Sequence, residues 1–428
     1  MYRATELDLS PELFDAANRV CPFSDGALDE DAISELVHQD QVTRHEFLGS
    51  FTNAYAGRVR SDDYLMGSSS GGLTSWLAAK LFAEGLIDGV LNVGRTEPRP
   101  PIFSYDLVDA DGARQRRKSQ YYSTTLEEAL GTAKERPGRY ALVGVPCFIK
   151  AARLLEEQDP VLKERIVFHV GLVCGHMKSQ FFGESMAWQL GIAPDDLADL
   201  DFRVKHEGRA VSDYDFAAQS ASDGEWRSTR TKSLLGGSWG HGAFQPEACN
   251  FCDDIFAETA DVAFGDAWLP QFRDEWRGTN VVVSRSDKVD GLFEAGRRAG
   301  EIDLDNVSAE VAASSQAGNF RHRRLGVSVR SHDDIQRGLS VPKKRVPPSL
   351  DGVGERRLKV IRARRRLSEV SFRAFREARE RGDLQIYLDV MGREIAAYQK
   401  IYAPLWRRAL GKLRSSLGSV ARNLGWRK

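Results

Sequence analysis

Gly67-Ser68-Ser69-Ser70-Gly71-Gly72 runs straight into the apolar stretch Leu73 to Glu84, and Gly85 closes that stretch before Gly89-Val90-Leu91-Asn92-Val93. Glycine-rich turns bound a helical pattern and then a short apolar run, so the order is loop, helix, strand. Two further apolar runs, Tyr140 to Val145 and Arg165 to Val173, read as buried strands, and each ends at or just before a cysteine. Strands separated by helical stretches predict a mixed α/β core, and such folds gather their chemistry at strand ends.

Between Asp201 and Arg230 apolar and polar residues alternate around glycines (Phe202, Val204, Val211, Tyr214, Phe216), which predicts an inserted antiparallel sheet. Two more short strands are expected at Asp261 to Gly265 and Asn280 to Ser284. Pro342, Lys343, Lys344, Arg345, Pro347 and Pro348 mark a linker, beyond which the chain reads as helix. The boundaries drawn are 1–50, a reduced N-terminal segment; 51–340, the core; and 341–428, a basic helical extension.

The chain is 428 residues long, 42% hydrophobic and 28% charged, which suits a globular protein and excludes collagenous, disordered or disulfide-framework classes. No run approaches the roughly 20 apolar residues of a membrane span, and Met1 to Pro11 lacks a signal-peptide order, so a cytoplasmic setting is expected. Thiols stay reduced there, so five cysteines point to buried thiols, metal ligands or catalytic groups.

The net charge of -1 conceals an asymmetry: 351–428 carries 20 Lys and Arg against 8 Asp and Glu, and the rest 40 against 53. In 404–428, Trp406, Leu410, Leu413, Leu417, Val420 and Leu424 share one helical stripe with basic residues elsewhere. Such a helix suits an anionic membrane surface on the inner face, or packing against protein. Nucleic acid is not an expected partner of so acidic a body.

Cys249-Asn250-Phe251-Cys252 brings two thiols within reach of one metal or one cluster edge. Cys147 follows Val145-Pro146 and Cys174 follows Leu172-Val173, each at the end of a predicted strand. Four thiols so placed suit a zinc ion or an iron-sulfur cluster, and spacing alone leaves both open beside plain burial.

The segments Ser69-Ser70-Gly71-Gly72-Leu73, Val143-Gly144-Val145-Pro146-Cys147, Val170-Gly171-Leu172-Val173-Cys174, Cys249-Asn250-Phe251-Cys252-Asp253-Asp254 and Ala257 to Gly265 occur in this order. Together they resemble the family of coenzyme F420 hydrogenase/dehydrogenase beta subunits, which includes hydroxymethyl chlorophyll a reductase. The resemblance covers roughly Phe51 to Ser286 and implies an oxidoreductase with FAD and one 4Fe-4S cluster, with Cys147, Cys174, Cys249 and Cys252 as ligands. Relatives often carry an N-terminal ferredoxin segment. Here only Val20-Cys21-Pro22-Phe23 remains, so Cys21 reads as a relic.

The resemblance also makes Ser69, Ser70, Gly71 and Gly72 a flavin-phosphate loop, although relatives often have Asp where this chain has Ser70. A loop feeding a helix N-terminus suits that role. Ser119 and Tyr121 resemble a second flavin-pocket element. Lys205, His206, Lys232 and His241 are candidates near the reacting face, with Lys205 and His241 chosen as catalytic. Ferredoxin or a deazaflavin coenzyme is the implied electron partner, and a sugar or polysaccharide-pathway intermediate the other implied substrate. The rival reading is a non-catalytic, metal-stabilised scaffold recruited through its basic tail.

Overall fold

The computed structural model describes residues 10–38, 42–96 and 101–402, so the apolar stripe of 404–428 lies outside the described residues. Thirteen strands are described: β1 (Thr43–His45), β2 (Gly49–Phe51), β3 (Asn53–Val59), β4 (Gly89–Arg95), β5 (Phe103–Val108), β6 (Tyr140–Gly144), β7 (Ile166–Leu172), β8 (Leu197–Val204), β9 (Asp215–Ser220), β10 (Trp226–Arg230), β11 (Val262–Asp266), β12 (Asn280–Ser284) and β13 (Ile302–Asn306). Eight form one sheet in the order β13-β3-β12-β11-β7-β6-β4-β5. Its centre, β4, β6, β7 and β11, is parallel, and the strands flanking it on both sides pair antiparallel. The fold is mixed α/β, as the sequence predicts.

Alternation along the central strands divides the sheet's two faces. Val143, Val170, Phe264 and Val282 join Leu73, Trp76 and Phe293 in one core. Leu142 and Ala263 face Ile149 and Ala152 of the helix Pro146–Glu156 on the other side. Val281 and Val283 enter a neighbouring core with Phe256 and Phe320. The central strands are therefore buried on both faces, as a parallel layer requires.

The inserted sheet, ordered β10-β9-β8, is antiparallel. Its apolar face does not stand alone. Phe202 and Phe216 share a core with Phe375, Tyr387, Met391 and Ile395, which come from the helices Glu355–Arg381 and Leu384–Tyr402. Gly382 links those helices in the left-handed conformation (φ 66°), a turn for which glycine is the natural residue. The C-terminal helices are thus half of a second core. The proline-rich stretch before them is clasped rather than free: Arg345 pairs with both carboxylate oxygens of Glu258 at 2.6 and 2.9 Å and with Asp253 at 3.1 Å.

The N-terminal segment forms two helices, Pro11–Val20 and Glu30–Val37. Glu30 meets Lys150 of the helix Pro146–Glu156 at 3.2 Å, with both side chains buried. Cys21 is exposed and caps the first helix. Among the described residues no helix is long and apolar enough to cross a membrane.

Candidate cofactor site

β6 and β7 are adjacent and parallel, with Gly144 opposite Gly171, so their carboxyl ends open side by side. Cys147 sits just past β6 in the first turn of the helix Pro146–Glu156, where Pro146 opens the helix and the positive helix end favours a thiolate. Cys174 follows β7, and its N–H donates to the carbonyl of Ile255 at 3.0 Å, which draws the loop of Cys249 and Cys252 across the strand end. Cys249 lies in the short helical turn Glu247–Asn250, and its sulfur accepts from the N–H of Met177 at 3.4 Å.

The four thiols feel one another. Burial pushes the thiol of Cys147 well up, and Cys252, Cys249 and Cys174 push it further. Cys252 rises to about 11, first from burial and then from Asp254, Asp253 and Cys249, against the pull of Arg323. Thiols held so high stay protonated unless a metal takes the proton's place. Among the described residues, however, no three His, Cys, Asp or Glu side chains stand close enough to hold a single metal ion.

Beside Cys174 opens a cavity of about 790 Å³, within the size range of cofactor pockets. Ser69, Ser70, Gly72, Ser119 and Tyr121 all line it. Gly72, at φ 79°, turns the chain into the helix Leu73–Ala83, whose first N–H is capped by Asn280 at 3.1 Å. Gly71 does not line the cavity: a Cβ there would meet Asn280 at 2.8 Å and the Gly57 carbonyl at 2.9 Å, so its role is close packing against β3 and β12.

Five buried polar atoms on the cavity wall have no protein partner: Ser68 Oγ, His176 Nε2, Arg203 Nε, Thr231 Oγ1 and Asp266 Oδ1. Buried polar atoms are rarely left unpaired, so this wall is shaped for a polar ligand. His176 stacks on Trp239 with ring centres 4.4 Å apart, and Tyr121 packs against the same indole at 4.8 Å. Lys178, buried beneath, donates to the Ala243 carbonyl at 2.5 Å and sits 5.0 Å from the Trp239 ring centre.

The two residues expected to be catalytic are placed elsewhere. Lys205 points to the far side of the serine loop, where its ammonium donates to the carbonyls of Leu65, Ser70 and Arg277 at 2.5, 2.9 and 2.5 Å. Burial, and then Arg203, lower its pKa to about 7, but three carbonyls occupy all three of its donors. It pins the loop and lines no part of the main cavity. His241 turns toward Tyr398 of the helix Leu384–Tyr402, 5.8 Å away edge-on, and burial, with Lys178 and Arg364 nearby, holds it neutral near pKa 4. His206 is spent on Asp215 at 2.8 Å, whereas Lys232 does line the cavity. His176 and Lys178 escaped the sequence reading although they follow Cys174 by two and four positions. Their proximity to a strand-end cysteine was the available signal.

Residues 54–131 match the N-terminal part of the beta subunit of coenzyme F420 hydrogenase/dehydrogenase, and residues 138–310 match the C-terminal part of the same beta subunit. The F(420)H(2) dehydrogenase of Methanosarcina mazei has a polypeptide that is 27% identical over 314 residues, covering 71% of this chain and 77% of that polypeptide. A chain of the F420-reducing NiFe hydrogenase complex from Methanosarcina barkeri superposes with a TM-score of 0.52. It is 16% identical, covers 70% of this chain and 99% of its own length, and shares the fold.

Proposed function

The chain belongs to the family of coenzyme F420 hydrogenase/dehydrogenase beta subunits, and from that premise we propose that it is a flavin-dependent iron-sulfur oxidoreductase. Cys147, Cys174, Cys249 and Cys252 hold one 4Fe-4S cluster. FAD lies in the cavity, against the loop of Ser68 to Gly72, Ser119 and Tyr121. The observation that carries the reading is the meeting of the two sites at Cys174, which belongs to the thiol set and to the cavity wall.

Two features favour a cluster over zinc. The thiols are mutual electrostatic neighbours, and the family to which the chain belongs points to an iron-sulfur cluster. The unpaired polar atoms on the cavity wall favour an occupied pocket, and so an enzyme, over the scaffold reading.

A flavin handles two electrons as a hydride and a neighbouring cluster relays them singly. The chain's own part is binding and placement. Ser69 and Lys205 fix the phosphate loop, the Trp239 and Tyr121 rings wall the cavity, and His176 offers an unpaired ring nitrogen to whatever enters. Of the two substrate classes, a deazaflavin coenzyme is favoured by the names of the relatives, with a partner protein, such as ferredoxin, on the single-electron side. The sugar-pathway substrate has only the family resemblance behind it, and the membrane contact rests on 404–428.

The test is anaerobic mixing of the purified protein with reduced coenzyme F420. The bound flavin's visible absorption bleaches within the turnover time. Protein that carries no flavin, or whose flavin stays oxidised, contradicts the proposal.

A further inference from the structure

The thiol set faces buried positive charge for which little acid is free. Arg323, on the helix Ala317–Gln336, is 2% exposed. Its guanidinium donates to the carbonyl of Gly175, next to Cys174, at 2.8 Å, while its Nε has no partner. Burial works against its charge, and Cys252, Cys249, Cys174 and Cys147, in that order, more than restore it.

Other cations stand behind it. Arg330, seven residues on and so on the same helix face, is buried and donates to the carbonyls of Asn250 at 2.8 Å and His322 at 3.3 Å. The Nε of Arg364, from the helix Glu355–Arg381, has no partner; Lys178 is buried too, but burial first and Arg364 after it push its ammonium well below its usual range, so it is not a fixed charge. The imidazole among them, His322, is driven neutral by burial and then by Arg364 and Arg330. The acids nearby are engaged: Glu247 pairs with Arg365 at 2.6 Å, and Asp253 pairs with Arg345 at 3.1 Å. Asp254, beside Cys252, is the exception on the opposite flank, where its carboxylate accepts from the N–H of Glu258 at 3.0 Å.

We propose that Arg323 sets the reduction potential of the centre held by the four cysteines, its buried guanidinium favouring the reduced, more negative state. The inference rests on the cluster reading above. A four-thiolate cluster is already anionic and gains one more negative charge per electron, without bond change at the protein. A cation held close, where water screens little, favours that extra charge. Arg323 is thus a positioning charge rather than a catalytic residue, and Arg364 acts in the same direction.

The test is anaerobic redox titration, following the reduced cluster by electron paramagnetic resonance, with iron and sulfide measured on every sample. Arg323→Gln lowers the reduced-to-oxidised ratio at the wild-type midpoint at least tenfold, 59 mV for one electron. Arg323→Lys, which keeps the charge, stays within about threefold of wild type, and Arg364→Gln shifts the ratio in the same direction by less. Arg323→Gln protein with full iron and an unchanged ratio overturns the proposal. If that variant fails to load iron, an unchanged ratio in Arg364→Gln overturns it instead. Wild-type protein without iron defeats the cluster reading itself, which is a different result from a loaded variant with an unmoved potential.

Discussion

The backbone N–H of Ser119 donates to the hydroxyl of Ser69 at 2.8 Å, tying together two segments fifty residues apart in sequence on one cavity wall. A half-buried hydrogen bond of this kind contributes about 1 kcal/mol, and leaving its donor unpaired costs about 1–3 kcal/mol. Ser69→Ala should therefore weaken flavin retention by roughly tenfold, since about 1.4 kcal/mol is a factor of ten. Equilibrium dialysis of the flavin checks this. Ser69→Thr, which keeps the hydroxyl, should lie closer to wild type.

Lys205 separates a structural pin from a catalytic base. Its three carbonyl partners are Leu65, Ser70 and Arg277. Lys205→Met leaves all three acceptors unpaired, so flavin content and thermal stability should fall together, with a stability loss of about 2–4 kcal/mol. A variant that keeps flavin and stability but loses turnover would return Lys205 to the reacting face.

The strands that sequence revealed are those whose chemistry is uniform. Tyr140–Gly144, Ile166–Leu172, Val262–Asp266 and Asn280–Ser284 are mainly apolar runs bounded by turns, and they form the buried part of the sheet. Phe103–Val108 and Ile302–Asn306, the two sheet edges, were missed because polar or charged residues interrupt their buried positions, and Asn53–Val59 was missed although it lies inside the sheet. The cysteines were legible through spacing and strand-end position. Arg323 was not, because the helix Ala317–Gln336 is rich in charge and reads as a solvated face, whereas Arg323 and Arg330 lie inside. Lys205 and His241 were chosen because they lie in the second lobe or in the glycine-rich approach to the cysteine pair, but sequence carries no signal for which way one side chain turns.

Asp261 fastens the start of β11 to β7. Its carboxylate accepts from the His169 N–H at 2.6 Å and pairs with Arg153 at 2.9 Å. Burial raises its pKa, but Arg153 and His169 outweigh this and hold it well below the usual carboxylate range. A depressed folded pKa contributes stability above the unfolded value of about 3.9, and that stability is lost as the pH falls through the folded value. Asp261→Asn should cost about 3–5 kcal/mol at pH 7 and flatten the decline in melting temperature below about pH 4. Thermal unfolding across pH 3 to 7 checks both parts.

Phe375 tests whether the C-terminal helices are an appendage or part of the core. It is fully buried and packs against Phe181, Phe244 and Tyr387, with ring centres 5.2, 5.7 and 5.5 Å away. Phe375→Ala should cost about 3–5 kcal/mol. Truncation after Pro348 should expose the inserted sheet and yield aggregated protein. A soluble truncated chain that unfolds cooperatively would show that the extension is dispensable.

The sharpest test of the cluster assignment is iron, acid-labile sulfide and zinc per chain in anaerobically purified protein, wild type beside Cys249→Ser. Four iron and four sulfide are expected in wild type, one for each metal and bridging site of a 4Fe-4S cluster. A reduced-cluster resonance, loss of most of the iron in the variant, and no stoichiometric zinc in either should accompany them. Zinc in place of iron, or full iron retained in Cys249→Ser, would contradict the assignment.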